Sequence, residues 1–289
     1  MPMAEVNGTR IHYHKMGKGV PIICIHPPAL TGDCFAYLRA RLSDSFQVIT
    51  LDVRGHGQSA PSAAQVTYPL IAEDIRQLMD KLRLRQAYLC GYSQGGSVAM
   101  HALLTYPEQF LGGILISSMP ELSDWYNRSL IKLMLQLAKL RSRHAVAAVI
   151  SAGNADMMWT FKNQFRHSAH GNVRNMYEYF ASSLDYSCTR RLKDIHAPTL
   201  LLYGQKDHAF HRYALTLQHS LPNSTLHLID RAGHQLVTKE PARLEQSIRA
   251  WMDYAKQARD HDVSDTGGEI GAYPVWRQES EVHEEQHYT

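Results

Sequence analysis

The chain has 289 residues, 44% of them hydrophobic, and 30 Lys and Arg against 27 Asp and Glu give a formal net charge of +3. This suits one large domain, or one domain with an insertion; no apolar run approaches the roughly 20 residues that span a bilayer, and the N-terminus lacks a signal-peptide core, so a soluble cytoplasmic protein with no membrane partner is expected. Four scattered cysteines without a CxxC pair, histidines in isolated pairs, and basic residues that match no base-reading motif argue against a disulfide framework, a metal site and nucleic-acid binding.

In chain order, Asn7-Gly8 marks a hairpin between residues 3–6 and 10–14, because this dipeptide tolerates the positive φ values of the tight turn. Residues 20–25 form a buried strand, followed by a loop and a helix around 34–42. A strand at 46–51 leads into the Gly-rich loop 52–59, and Leu70, Ile71, Ile75, Leu78, Met79 and Leu82 give helical spacing over 69–84. A short strand at 86–90 runs into Gly91-Tyr92-Ser93-Gln94-Gly95, a helix follows, and Pro107 ends it. Strands at 111–116, 199–203 and 224–229 and a final helix at 241–256 complete an alternation that implies a mostly parallel sheet with helices on both faces.

Residues 120–196 interrupt this alternation with helical pattern alone, including a start at Asn172, and read as an inserted cap. Most of its apolar residues belong to its own core, and Trp125, Met157, Met158 and Trp159 are the candidates for lining a substrate pocket. Beyond Ala258 the chain is polar and Gly-interrupted, with eight acids and one base over 260–289, and is expected to be flexible. The competing reading lays this tail on the basic cap with Trp276 as anchor.

Gly-x-Ser-x-Gly between a strand and a helix forces a sharp turn that leaves the serine side chain standing above the sheet edge. Ser93 is therefore a candidate nucleophile, and a serine hydroxyl needs a base, with a carboxylate to orient that base. Asp207 lies in the first loop past the 199–203 strand and His234 in the loop past 224–229, both on the edge that carries Ser93. Glu121 is an alternative acid, and His208 is a weaker base because its strand already supplies Asp207.

The motif around Ser93, together with Val6-Asn7-Gly8, the segment from Asp52 to Ser59, Leu202-Tyr203-Gly204-Gln205-Lys206-Asp207 and Ala232-Gly233-His234, resembles the α/β-hydrolase superfamily in its capped, serine-nucleophile form. The resemblance covers about residues 3–257 and implies a sheet of about eight strands. The expected organisation is a core of residues 1–119 and 197–258, a cap of 120–196 and a tail of 259–289. Where such relatives carry His-Gly-x, this chain has His26-Pro27-Pro28-Ala29, and neither proline has an N–H to offer an oxyanion. Ala29 N–H, with Gln94 N–H, is the expected oxyanion hole, and His26 orders the loop. The expected activity is cleavage of a small or medium carboxylic ester or related acyl compound through an acyl-enzyme, with no cofactor. The alternatives are a small-molecule receptor with slow or single turnover, and a carbon–carbon bond hydrolase.

Overall fold

The computed structural model describes residues 2–262 and 276–277. Met3–Val6 (β1) and Thr9–Met16 (β2) form the N-terminal hairpin, and Asn7 and Gly8 both take positive φ, 44° and 71°. Val20–Ile25 (β3), Ala36–Leu42 (α1), Phe46–Leu51 (β4), Tyr68–Leu82 (α2), Ala87–Tyr92 (β5), Gln94–Thr105 (α3) and Phe110–Ile116 (β6) follow. Four helices occupy the interval before the next strand: Trp125–Lys139 (α4), Arg143–Asn154 (α5), Met158–Ser168 (α6) and Val173–Asp185 (α7). Thr199–Gly204 (β7), His208–Ser220 (α8), Ser224–Ile229 (β8), Leu236–Lys239 (α9) and Pro241–Asp262 (α10) close the core. Trp276–Arg277 adds a two-residue strand (β9).

The strands lie in the order β1-β2-β4-β3-β5-β6-β7-β8-β9. Only the β1–β2 and β2–β4 pairs are antiparallel; the other pairings are parallel. Side chains alternate across such a sheet, so neighbours in one strand belong to different cores. Ile23, Leu89, Leu115 and Leu201 pack with α2, α3 and α8 residues such as Ile75, Val98 and Leu217. Ile22, Cys90, Ile114 and Leu202 face the other way, onto Leu38 of α1 and Leu244, Ile248 and Trp251 of α10. All four cysteines are buried and unpaired.

The helical limits move slightly from those read in the sequence. The 34–42 segment divides into a 3-10 turn, Gly32–Phe35, and α1. Helix α2 stops at Leu82 because Arg83 adopts the left-handed conformation, φ 56°, and returns its N–H to the carbonyls of Asp80 and Met79. The backbone of Trp276–Arg277 pairs with His227 and Leu228 of β8, at the sheet edge and not on the cap. Residues 259–262 of the tail expected to be flexible continue helix α10 instead, and 263–275 and 278–289 lie outside the described residues.

The cap carries its own small core, in which Met134, Leu135, Ala138, Val146, Met176 and Phe180 gather around Ala29 of the sheet domain. Among the described residues no helix is long and apolar enough to cross a membrane. Among them, too, no three His, Cys, Asp or Glu side chains are grouped to hold a metal ion.

Candidate active site

Strand β5 ends at Tyr92 and α3 begins at Gln94, so Ser93 alone makes the turn, with φ 52° and ψ −120°. A side chain at positive φ is strained and persists only where its surroundings fix it. Backbone packing does so here. A Cβ on Gly95 would run into the Ile25 carbonyl, and one on Gly91 into the Gly96 backbone. Ser93 N–H donates to Ile116 O at 2.8 Å, tying the elbow to β6.

The loops after β7 and β8 are zipped together. Gln205 N–H donates to Ile229 O at 2.9 Å and Lys206 N–H to Ala232 O at 2.8 Å. Gly204 permits this approach, since a Cβ there would meet the Ala232 and Gly233 carbonyls. Asp207 holds the N-cap position of α8 without capping it. Its buried carboxylate instead accepts from His234 Nδ1 at 2.8 Å. With Nδ1 donating, Nε2 presents its lone pair, and it lies 3.3 Å from Ser93 Oγ. Ser117 Oγ donates to the His234 carbonyl at 3.0 Å, and the Phe210 ring lies 4.2 Å from the imidazole. Ser93, Asp207 and His234 are thus brought together from three strand ends, in a geometry that lets a proton pass from hydroxyl to imidazole.

Glu121 is engaged elsewhere: its carboxylate accepts from Ser187 Oγ at 2.6 Å, joining the two ends of the cap. His208 stacks edge-on against His211, with ring centroids 5.2 Å apart.

The loop after β3 is held from several sides. Val53 N–H donates to His26 Nε2 at 2.9 Å, so the His26 proton sits on Nδ1, which donates to Pro27 O at 2.8 Å. Burial pushes the His26 pKa below its ordinary value and keeps this neutral tautomer. Tyr179 of α7 donates to the His26 carbonyl at 3.0 Å, linking the cap to this loop. Leu30 N–H reaches Pro27 O at 3.3 Å, closing a turn in which Ala29 sits at φ 60°. Pro27, Pro28, Leu30 and Gln94 line the cavity beside Ser93, while Ala29 is fully buried and turns its methyl toward the cap.

Behind the loop stands Asp52. Burial pushes its pKa upward, but hydrogen bonds from His12 Nδ1 (2.8 Å), Gln58 N–H (2.9 Å) and Gly32 N–H (2.8 Å) outweigh burial. Its carboxyl therefore lies below the usual range and remains charged. The buried Arg54–Asp74 pair, with Arg54 Nε donating at 2.6 Å, fixes the next part of the 52–59 segment against α2.

A cavity of about 370 Å³ opens above Ser93, within the range of small-molecule sites. Its wall includes Met119, Leu122, Ile131, Met134, Ile150 and Phe180, mostly from the cap. Trp125, Met157, Met158 and Trp159 are not among the lining residues; all four are exposed, Trp125 at 79%. The reason lies in the helix phases. Helix α6 buries Thr160, Gln164 and Ser168, spaced four apart, so its polar stripe faces inward and its leading Met158 and Trp159 face out. Trp125 opens α4, where the buried face is carried by Asn127, Met134, Leu135 and Ala138.

Sequence reasoning passed over Ser117, Phe210 and Tyr179. Ser117 was within reach of it, as the first residue past β6 on the same edge as Ser93. Tyr179 was not, because its contact with His26 spans 153 positions.

Comparison with known proteins agrees with this architecture. The family described as the alpha/beta hydrolase fold matches residues 20–241. The (E)-2-((N-methylformamido)methylene)succinate hydrolase of Acinetobacter baylyi is 24% identical over 268 residues, covering 86% of this chain and 95% of that protein. An esterase from Exiguobacterium antarcticum superposes with a TM-score of 0.79 at 20% identity, covering 88% of this chain and 98% of its own. The enol-lactonase from Burkholderia xenovorans gives the same TM-score and identity, over 87% of this chain and 100% of its own.

Proposed function

The chain belongs to the alpha/beta hydrolase fold family, and from that premise we propose that it is a serine hydrolase cleaving a small or medium carboxylic ester or related acyl substrate. The observation that carries this reading is the line of contacts from Asp207 through His234 to Ser93, 2.8 Å and 3.3 Å. His234 Nε2 takes the Ser93 proton as Oγ attacks the substrate carbonyl. Asp207 keeps the imidazole in the required tautomer and stabilises the imidazolium. The leaving alcohol collects the proton from His234, and water activated by the same imidazole then releases the acid and frees Ser93.

Charge developing on the carbonyl oxygen needs donors that are already in place. Gln94 N–H supplies one, as the first amide of α3, where a helix has no internal acceptor for it. Ala29 N–H, the first amide after Pro27 and Pro28, is the second. Each such donor contributes about 3–4 kcal/mol of transition-state stabilisation. The esterase and lactonase names among similar structures and the hydrolase name among similar sequences accord with acyl chemistry. No step calls for a cofactor.

The second reading, a small-molecule receptor with single turnover, draws on the Pro27-Pro28 pair, which removes two backbone donors from the loop beside the nucleophile. Repeated turnover of p-nitrophenyl esters by the wild type, lost in Ser93→Ala, supports the hydrolase. One equivalent of p-nitrophenol with no further turnover supports the receptor. Cleavage of a vinylogous diketone without ester turnover supports carbon–carbon bond hydrolysis.

A further inference from the structure

The cavity above Ser93 is lined by exposed side chains of α4 and α5. Leu130 and Leu133 of α4 and Val149 of α5 line it and are also exposed, at 44%, 54% and 46%. Tyr126, Leu130 and Leu133 are spaced four and three apart and so share one face of α4. Val149 stands on the opposite lip, and Ile131, Met134 and Ile150 continue the apolar wall inward to the catalytic end. The α4–α5 side of the wall is thus mainly apolar from the interior to the solvent.

Charge is arranged just as consistently. The cap carries eleven basic residues between positions 121 and 194, yet among the described residues no Lys or Arg lines this cavity. Asp207 and His234 are its only acidic or basic side chains, and they are paired with each other. On α4, Arg128 donates to the carbonyls of Leu122 and Leu184 at 2.9 and 3.3 Å, and Lys132, between Ile131 and Leu133, is exposed and does not line the cavity. Several polar groups of the wall are engaged within the protein, and Gln94 Oε1, buried without a partner among the described residues, is an acceptor that offers a carboxylate nothing. Tyr92 OH donates to Asn154 Oδ1 at 3.0 Å, and Asn127 Nδ2 to Asp124 Oδ2 at 3.0 Å. A carboxylate entering this space would lose its water and find no cation, at a heavy cost. A hydrocarbon chain would lose nothing, and would cover Leu130, Leu133 and Val149 on its way out.

We propose that the α4–α5 slot receives an uncharged hydrophobic chain of the substrate, so that the site selects neutral esters of medium or longer chain and excludes acyl groups ending in a carboxylate. This rests on the hydrolase reading and adds to it the class of substrate. The occupant is the substrate itself because the slot is continuous with the space above Ser93. Val149, Leu130 and Leu133 become specificity-determining residues.

The test is kcat/KM of the full chain for p-nitrophenyl acetate, butyrate, hexanoate and octanoate, and for p-nitrophenyl hemiglutarate beside p-nitrophenyl pentanoate. Each methylene that enters the slot is worth roughly fourfold, so octanoate exceeds acetate by well over tenfold, and the hemiglutarate falls at least tenfold below pentanoate. Val149→Trp plugs the slot at a half-exposed position, and Leu133→Trp does so from the other lip. Each lowers the octanoate-to-acetate ratio at least tenfold. A flat chain-length profile with Ser93-dependent turnover overturns the slot and leaves the hydrolase standing. If no ester is turned over, the hydrolase reading fails, and calorimetric binding of 2-decanone to the wild type and to Val149→Trp decides the slot. Weakening by at least tenfold sustains it, and equal binding or none overturns it. A change of oligomeric state in Leu133→Trp, with the ratio unaltered, would assign this face to a second copy of the chain and also overturn the proposal.

Discussion

Tyr179→Phe removes one buried oxygen and tests whether helix α7 holds the loop beside Ser93. The ring is fully buried, edge-on to His56 at 5.6 Å and to Tyr68 at 5.9 Å, and phenylalanine keeps both contacts. Burial holds the phenol well above its ordinary pKa, so it is a neutral donor throughout the accessible range. The substitution therefore deletes only the 3.0 Å bond to the His26 carbonyl and leaves that buried acceptor without this donor. A lost buried hydrogen bond with one orphaned partner costs about 1–3 kcal/mol, which lowers Tm by roughly 2–4 °C per kcal/mol at this size. His26 carries the turn containing Ala29, so kcat on p-nitrophenyl butyrate should fall by about tenfold, within the value of one oxyanion donor. Urea denaturation with an unchanged m-value gives the first quantity and steady-state kinetics the second. Stability within about 0.5 kcal/mol of wild type together with wild-type kcat would show that this bond does not position the loop.

Other outcomes follow from the same geometry. Asp207→Asn replaces the acceptor of the His234 Nδ1 proton with an amide that can favour the wrong tautomer; kcat should drop by about 10³–10⁴ with little change in folding, as circular dichroism and kinetics will show. Burial lowers the His56 pKa from 6.5 to about 3. The unfolded chain therefore binds a proton below about pH 6.5 that the folded protein refuses, and stability falls as pH falls through that window. Between pH 7 and 5 this one group removes about 2 kcal/mol. His56→Leu should flatten the dependence of the urea midpoint on pH over that interval, and an unchanged slope would remove His56 as its source.

Local features carried the legible part of the sequence. Asn7-Gly8 announces a turn because few other dipeptides accept φ of 44° and 71° together. The glycines around Ser93 announce the elbow because the chain there has no room for a Cβ. Asp207 and His234 were readable because each follows its own apolar strand, and parallel strands deliver their loops to one edge. The interval between β6 and β7 was readable as helices, but not in their facing. Apolar residues ordinarily mark a buried stripe, yet α6 buries Thr160, Gln164 and Ser168, so Met158 and Trp159 gave the opposite impression. Leu130, Leu133 and Val149, which line the cavity instead, have nothing in local sequence to distinguish them from core residues. A two-residue strand such as Trp276–Arg277 shows no periodicity to detect and exists only through its pairing with β8.

Treating the protein with a p-nitrophenyl phosphonate ester and locating the adduct by mass spectrometry tests the catalytic assignment most directly. One adduct per chain on Ser93, formed at least a hundredfold more slowly in His234→Ala, is the predicted result. Modification at another residue, or an equal rate without the imidazole, would contradict proton transfer from Ser93 to His234.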